Sequence, residues 1–297
     1  MLSLATFFAT HPVFTTDEVA AYLAERGTTS PRTRSNLLQH HARRGHIVHM
    51  RRSVWAAVPP GVTPEQWSPD PYTICARLAP DTIVGYHAAL AFHGLAYTVW
   101  SEYAYLTALA PRPPFEWRGM TFRPVAHPAA LRRTRRETAG TTVVDRGGVD
   151  VRVTTPERTL VDCLHRPELA GGWEEIWRAA ETVQYLNIGA LVDYALLLGN
   201  ATTAAKAGLL LETHRTALGV TVRDLERLEA ARPHAAHYLD RHTRRGGRLL
   251  QRWNLIVPEA LIARTWDEFS DTPDDTADLN ATNYDGDGDG AVFEEGI

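Results

Sequence analysis

Six arginines and four histidines are concentrated in one short stretch near the start of the chain, SPRTRSNLLQHHARRGHIVHMRRSVWAAVP. The guanidinium group of Arg donates hydrogen bonds from a planar fork that fits guanine or a phosphate. The amide groups of Asn and Gln pair with adenine in the major groove of DNA. Side chains of these types favour DNA recognition if a helix places them on one exposed face.

A helix that begins at Pro31 would place them in that way. Ser30 has the side chain of an N-cap, Pro31 suits the first helical position, and Gly45 ends the helix. With about 100° between successive residues, the inner face carries Leu37, Leu38, His41 and Ala42. The opposite face and its margins carry the predicted DNA contacts Arg32, Thr33, Asn36, Gln39, His40, Arg43 and Arg44. The simpler alternative is a charged helix face that is only solvated.

An earlier helix is indicated just before this one. Thr15 and Glu18 have the spacing of a capping box, and Phe14 can pack on Val19 as a hydrophobic staple. Gly27 supplies the left-handed residue that ends this helix. Two helices joined by a turn that contains Gly predict a helix-turn-helix.

A basic hairpin is predicted to follow the second helix. The segments HIVHM and VWAAV alternate with strand-like spacing on either side of Arg51-Arg52-Ser53. We therefore expect a two-stranded wing whose tip brings Arg51 and Arg52 to phosphates or to the minor groove. The sequence thus predicts an N-terminal winged helix-turn-helix.

The distribution of charge favours an anionic partner. The whole chain of 297 residues has a net charge of −4, but its first 264 residues contain all 31 Lys and Arg side chains and 24 of the 35 acidic ones, a net charge of +7. Residues 1–60 contain seven Arg against three acidic residues, a net charge of +4. Double-stranded operator DNA is the expected partner of this basic part.

Composition divides the chain into four predicted segments. The stretch VPPGVTPEQWSPDPY contains five prolines, which disfavour helix and central strand. We predict a DNA-binding domain at 1–58, a proline-rich linker at 59–71, a mixed α and β domain at 72–268, and a disordered acidic tail at 269–297. The expected fold class is α+β.

Patterns within the larger domain predict its elements. TIVGYHAALAFHGLA reads as a short helix, EYAYLTALAP and MTFRPVAHP as strands, and GTTVVDRGGVDVRVTTP as a hairpin. Thr155, Pro156 and Glu157 open a helix, residues 173–228 have helical spacing, and GGRLLQRWNLIVP reads as one late strand.

Motifs for catalysis are missing from the sequence. Lys206 is the one lysine, so phosphate-loop and kinase motifs are absent, as are G-x-S-x-G and H-E-x-x-H. His87 and His93 are six residues apart, on different helix faces, which favours packing. Cys75 and Cys163 lie outside any C-x-x-C spacing and are expected to be reduced and buried. We expect no catalytic residue, metal or cofactor, and no enzymatic activity.

Two charged segments leave alternatives open. The run Arg132–Arg136 suits either a partner contact or a solvated loop. NYDGDGDGAVFEEG imitates a calcium loop, but in the frame from Asp285 the twelfth position is Gly296 rather than the Glu that calcium needs, which favours an acidic tail. No stretch resembles a signal peptide or a membrane span, so the expected location is the cytoplasm.

Several of these segments together resemble the AbiEi-like antitoxins of bacterial type IV toxin-antitoxin systems. They are the N-terminal winged helix and linker, YHAALAFHGLA, the hairpin into VRVTTPERTLVDCL, and RGGRLLQRWNLIVPEALIARTW. The resemblance implies an N-terminal domain that represses the toxin-antitoxin operon. Because tandem operator half-sites favour two copies held together, we also expect cooperative binding or self-association on DNA. It also implies a C-terminal domain that neutralises a nucleotidyltransferase-like toxin, with direct contact left open. The alternative is a winged-helix regulator whose second domain binds a ligand or another protein.

Overall fold

The computed structural model describes residues 4–108, 112–240 and 247–263. The chain divides into two compact units, which we call unit 1 (residues 1–127 and 140–159) and unit 2 (residues 128–139 and 160–297). The predicted acidic tail and its calcium-like segment lie outside the described residues. None of the helices in the described ranges combines the length and the apolar character needed to cross a membrane.

Unit 1 begins with three helices and a small antiparallel sheet. The elements are α1 (Ala5–Thr10), β1 (Val13–Thr15), α2 (Thr16–Ala24), α3 (Pro31–Arg43), β2 (Ile47–Arg51) and β3 (Val54–Ala57). In the described chain these strands pair in the order β1-β3-β2. The capping box that Thr15 and Glu18 predict is present at the start of α2, and Ser30 caps α3, so both helix starts are confirmed.

An apolar cluster holds these N-terminal elements together. Phe7 of α1 and Phe14 of β1 are buried and pack with ring centroids 5.2 Å apart. Val19 and Leu23 of α2 and Leu38 of α3 are buried in the same cluster. Because Leu38 is the one position of α3 that is buried, the rotation of α3 about its axis is fixed.

A larger sheet forms the rest of unit 1. Its first elements are α4 (Pro71–Leu78), β4 (Ile83–Val84), α5 (Tyr86–Phe92), β5 (Glu102–Thr107), β6 (Phe115–Trp117) and β7 (Met120–Ala126). The chain then forms α6 (Ala129–Thr134), which belongs to unit 2, and returns to unit 1 with β8 (Thr141–Asp145) and β9 (Asp150–Thr154). The described strands pair in the order β6-β7-β5-β4-β9-β8. The β5–β7 and β4–β9 pairs are parallel and the others are antiparallel.

The predicted linker does not separate two cores. Asp70 caps α4, and Pro71, which the sequence analysis placed in the linker, is the first helical residue. A second apolar cluster joins Val13 and Val54 of the small sheet to Ile74 of α4. The predicted boundary between 1–58 and 72–268 therefore does not coincide with the boundary between the compact units.

Unit 2 is mainly helical. The boundary between the two units falls within α7 (Pro156–His165). The helices that follow are α8 (Trp173–Thr182), α9 (Ile188–Leu197), α10 (Ala201–Thr213), α11 (Arg215–Leu218) and α12 (Val222–Ala230). The later elements are β10 (His237–Tyr238), β11 (Arg248–Leu250), β12 (Leu255–Val257) and α13 (Glu259–Ala263). The described strands pair in the order β10-β12-β11. With helices and mostly antiparallel strands, the chain is α+β, as predicted.

The late segment GGRLLQRWNLIVP forms two short strands rather than one. The chain turns between β11 and β12, where Asn254 takes a left-handed φ of 50°. This turn buries Trp253 completely, and its indole N–H donates to Oε2 of Glu212 at 2.6 Å. The Trp253 ring lies directly against Gly208 of α10, where an added Cβ would be 2.1 Å from the ring.

Candidate nucleic-acid interface

Helix α3 is fixed at both ends by local hydrogen bonds. The Ser30 hydroxyl accepts from the backbone N–H of Thr33 at 3.3 Å. At the other end the Gly45 N–H donates to the carbonyl of Ala42 at 3.0 Å, and the left-handed φ of 72° at Gly45 turns the chain into β2. These bonds and the burial of Leu38 determine which side chains of α3 face outward.

The outward face of α3 carries the predicted contacts together. Seven predicted residues are exposed on α3 and its C-cap: Arg32, Thr33, Asn36, Gln39, His40, Arg43 and Arg44. From Arg32 to Arg43 this face is about 16 Å long at 1.5 Å per residue. Nε of Arg43 donates to the carbonyl of Gln39, one turn earlier on α3, at 3.4 Å. The side chains are thus brought together and accessible.

Charge around this face is of one sign. From Arg26 to Pro64 the chain has seven arginines and no Asp or Glu. Two acidic residues just before this stretch are already paired. Glu18 forms an ion pair with Arg77 at 3.0 Å, and Glu25 forms one with Arg26 at 3.5 Å. Within the described residues no carboxylate pairs with an arginine of the α3 face. The positive charge of this face therefore remains available to an anion.

The turn between β2 and β3 presents its two arginines differently. Arg52 is exposed at the tip. Arg51 is half-buried, with its guanidinium carbon 5.1 Å from the centre of the Phe115 ring. Burial raises the pKa of the Tyr105 hydroxyl, and the nearby positive charge of Arg51 offsets part of that increase. Of the two predicted wing contacts, Arg52 is thus free to meet a ligand, whereas Arg51 serves packing.

The same turn is anchored to the start of α2. The carbonyl of Ser53 accepts from the backbone N–H of Thr16 at 2.8 Å, and Ser53 has a strained φ of 139°. The Trp55 indole N–H donates to Oγ1 of Thr16 at 3.2 Å. The hairpin, α2 and α3 therefore form one surface with fixed geometry.

A histidine cluster lies at the C-terminal end of α3. Nδ1 of His41 and Nδ1 of His46 are 3.2 Å apart, so one ring donates to the other. The His41 ring also packs edge-on against Phe8, with centroids 5.0 Å apart. Burial lowers the pKa of His41, and the neighbouring His46, His40 and Arg44 lower it further. His41 therefore packs on the inner side of α3, as predicted, in surroundings that disfavour its charged form.

His87 and His93 pack, as the sequence analysis favoured. His87 is buried and stacks on Trp100, with centroids 4.5 Å apart and planes 14° apart. Nε2 of His93 lies 2.7 Å from the carbonyl of Thr154 and donates to it. Neither ring lies in a group of three or more residues able to hold a metal, and no such group occurs anywhere in the described residues.

The two cysteines and the basic run also have defined surroundings. Cys75 and Cys163 are both free and fully buried, as predicted, and burial raises the pKa of each thiol. The run Arg132–Arg136 is exposed at the end of α6, where Arg135 takes a left-handed φ of 54°. Its exposure leaves both interpretations of that run open.

The segment VTTPERTLVDCL is mostly buried. Arg158 and Asp162 are 0% and 1% exposed. The hydroxyls of Thr154 and Thr159 are 2.6 Å apart, and Oδ1 of Asp162 accepts from the Tyr194 hydroxyl at 2.7 Å. Side chains with so little exposure determine the packing of the segment and do not present a surface to a partner.

Sequence reasoning missed several residues beside the α3 face. Arg34 and Ser35 of α3, together with Trp55 of β3, line a shallow pocket next to the predicted contacts. Arg34 is half-buried, and nothing in the local sequence reveals that β3 lies beside this part of α3. Only the pairing of β3 with β1, which brings Trp55 beside Thr16, assembles this pocket.

No protein-family model and no curated protein matches this chain. Among solved structures, the chain is similar to the crystal structure of the RV2827C protein from Mycobacterium tuberculosis. The TM-score is 0.54 at 18% sequence identity, and the match covers 86% of this chain and 89% of that chain. A likeness at this identity concerns the fold alone.

Proposed function

We propose that this chain is a DNA-binding transcriptional repressor whose elements α1 to β3 form a winged helix-turn-helix. In this proposal α3 enters the major groove and the β2–β3 turn is the wing. The observation that carries the proposal is the exposed face of α3, which gathers arginine, asparagine and glutamine side chains in a stretch of chain without a carboxylate. A face that was only solvated would need neither this charge of one sign nor the paired amides.

The chemistry of the face divides into base contacts and phosphate contacts. Arg32 and Arg43 can each donate two bonds to guanine, and Asn36 and Gln39 can pair with adenine. Arg52 at the turn is suited to a phosphate, because a guanidinium fork fits phosphate oxygens. No Asn or Gln side chain that could read a base accompanies it in the turn Arg51-Arg52-Ser53. Arg51 is withdrawn from this list because it packs on Phe115.

We further propose that the repressor is an antitoxin that regulates its own operon. This part rests on the sequence resemblance carried by VTTPERTLVDCL and the accompanying segments, and it assigns neutralisation of a nucleotidyltransferase-like toxin to the part of the chain that follows the winged helix. The alternative is a regulator whose later part binds a ligand or a different protein. A neighbouring gene that encodes a nucleotidyltransferase G-S-x-x-D-x-D motif favours the antitoxin.

DNA binding is tested with single substitutions on α3. Arg32→Ala and Arg43→Ala should each weaken binding to the chain's own promoter by about 1–3 kcal/mol and affect an unrelated duplex less. Arg223→Ala is the matched control, because Arg223 is an exposed arginine of α12 in unit 2. Wild-type affinity in both α3 variants, measured by fluorescence anisotropy, would refute the assignment of α3.

The antitoxin role is tested separately in the full chain. A variant that carries Arg32→Ala, Asn36→Ala and Arg43→Ala should lose repression of a promoter reporter and still relieve the toxicity of the co-expressed nucleotidyltransferase. Because all three positions are exposed, the variant should melt like the wild type. Failure of the wild-type chain to relieve toxicity would refute the antitoxin role and leave DNA binding untouched.

A further inference from the structure

We infer that a pocket between α2, α3 and β3 is a binding site for one phosphate group of the DNA backbone. The pocket has a volume of about 270 Å³. Its lining includes Thr16, Arg34, Ser35, Leu38, Gln39 and Trp55. The inference rests on the proposed DNA-binding function and adds a defined contact that recognises no base.

The lining of the pocket suits an oxyanion. Among the described residues that line the pocket, Arg34 is the one with a charged side chain, and none carries a carboxylate. Its guanidinium fork matches two phosphate oxygens, and the Ser35 hydroxyl adds a donor on the same helix. Arg34 is half-buried, so it loses less side-chain freedom on binding than a fully exposed arginine would.

The opposite wall of the pocket is rigid. Thr16 is the first residue of α2, and its hydroxyl accepts the Trp55 indole N–H at 3.2 Å. The first turn of α2 adds the positive end of the helix dipole, and the carboxylate of Glu18 is already held by the backbone N–H of Thr15 at 2.7 Å and by Arg77. Because the Thr16 hydroxyl also donates to the carbonyl of Ser53 at 3.4 Å, this wall fixes the shape of the pocket, and the donors for an anion come from α3.

The pocket is placed where a backbone phosphate would lie. On α3 the positions of Ser35 and Gln39 fall between the buried Leu38 and the exposed face that carries Arg32 and Asn36. A helix that inserts this face into the major groove brings one flank against the sugar-phosphate backbone. Arg34 lies on the inner side of α3 beside Leu38, toward the start of α2. Because the first helix of a helix-turn-helix crosses the DNA backbone, one phosphate at the start of α2 can contact Arg34 while the exposed face of α3 reads bases.

The salt dependence of binding to a duplex tests the inference directly. Each phosphate contact contributes about 0.9 to the slope of log Kobs against log salt concentration. With a duplex of about 30 base pairs and arbitrary sequence, Arg34→Gln should lower the slope by about 0.9, whereas Arg34→Lys should keep it because the charge remains. Arg223→Gln is the matched control and should leave the slope at the wild-type value. Thermal melting of each variant establishes that it is folded.

The indole N–H signal of Trp55 gives a second, local measurement. In NMR spectra of the full chain, assigned with Trp55→Phe, the duplex should shift this signal, and the shift should be lost in folded Arg34→Gln. A slope and a Trp55 signal that are unchanged by Arg34→Gln, while the wild type binds the duplex, would overturn the pocket alone. Inorganic phosphate that shifts the signal while the duplex does not would assign the pocket to a free oxyanion and likewise overturn it. Wild-type chain that binds no duplex would refute the proposed function itself.

Discussion

Arg51 and Arg52 are neighbours in sequence, but substituting each should have an opposite effect. Arg52→Gln removes an exposed charge at the tip of the β2–β3 turn and should weaken DNA binding without lowering stability. Arg51→Gln removes a half-buried guanidinium that packs on Phe115 and should lower stability with little effect on DNA binding. From the sequence alone both residues were expected to contact DNA alike, and the contrast follows from the position of Phe115.

The size of each effect can be worked from the contacts. A cation–π contact at 5.1 Å in a half-buried position contributes about 1 kcal/mol. Arg51→Gln should therefore cost roughly 1 kcal/mol, which lowers Tm by about 2–4 °C in a chain of this size. Arg52→Gln should change Tm little and reduce the salt slope of DNA binding by about 0.9.

Two assays on the same pair of variants separate these outcomes. Calorimetry gives Tm for Arg51→Gln and Arg52→Gln, and fluorescence anisotropy at several salt concentrations gives the slope for each. An Arg51→Gln variant that melts like the wild type and has a reduced salt slope of DNA binding would refute this assignment. Arg51 would then be a DNA contact, and its position over Phe115 would not matter for stability.

Three further substitutions test the account of packing and charge. Gly208→Ala should destabilise the chain by about 1–3 kcal/mol despite the higher helix propensity of Ala, because the new methyl meets the Trp253 ring; denaturant unfolding with wild-type stability would contradict this. Tyr194→Phe removes a donor from buried Asp162 and should cost about 1–3 kcal/mol, again measured by denaturant unfolding, and a neutral result would mean that Asp162 is satisfied without it. The pKa of His41 is lowered in the folded chain, so the unfolded chain binds more protons. The contribution of His41 to stability is therefore complete above about pH 6.5, and it is lost as pH falls through the folded pKa. His41→Gln should therefore flatten the rise in stability as pH increases toward about 6.5, and an identical pH profile would contradict that cause.

The helices of the candidate interface could be predicted from sequence because their signals are local. The capping box at Thr15 and Glu18, the N-cap at Ser30 and the turn at Gly45 each involve residues within four positions of one another. The spacing of apolar residues then determined which side chains of α3 face outward. For these reasons the exposed face was assembled correctly before any tertiary contact was known.

The remaining features depend on contacts between distant residues. The pairing of β1 with β3 brings Trp55 to Thr16, about forty positions away in the chain, and creates the pocket beside Arg34. The position of Arg51 over Phe115 likewise joins residues far apart in sequence. A periodic pattern describes one element at a time and carries no information about which other element will cover it.

The predicted boundary at the prolines failed to coincide with the compact units for a related reason. Proline excludes regular structure over a few residues, and residues 59–70 indeed form no helix or strand. However, Val13 and Val54 pack with Ile74 of the helix that follows, so apolar burial continues across the stretch. Composition identified the irregular segment, whereas only the core shows that the flanking elements stabilise each other.

Selective DNA binding is the central claim, and one equilibrium measurement tests it most directly. The full chain is titrated at physiological salt into a labelled duplex that spans its own promoter, and into a duplex of the same length and base composition in scrambled order. The account predicts binding to the promoter at least about 10³-fold tighter than to the scrambled duplex. Equal affinity for the two duplexes, or no binding to either, would contradict it.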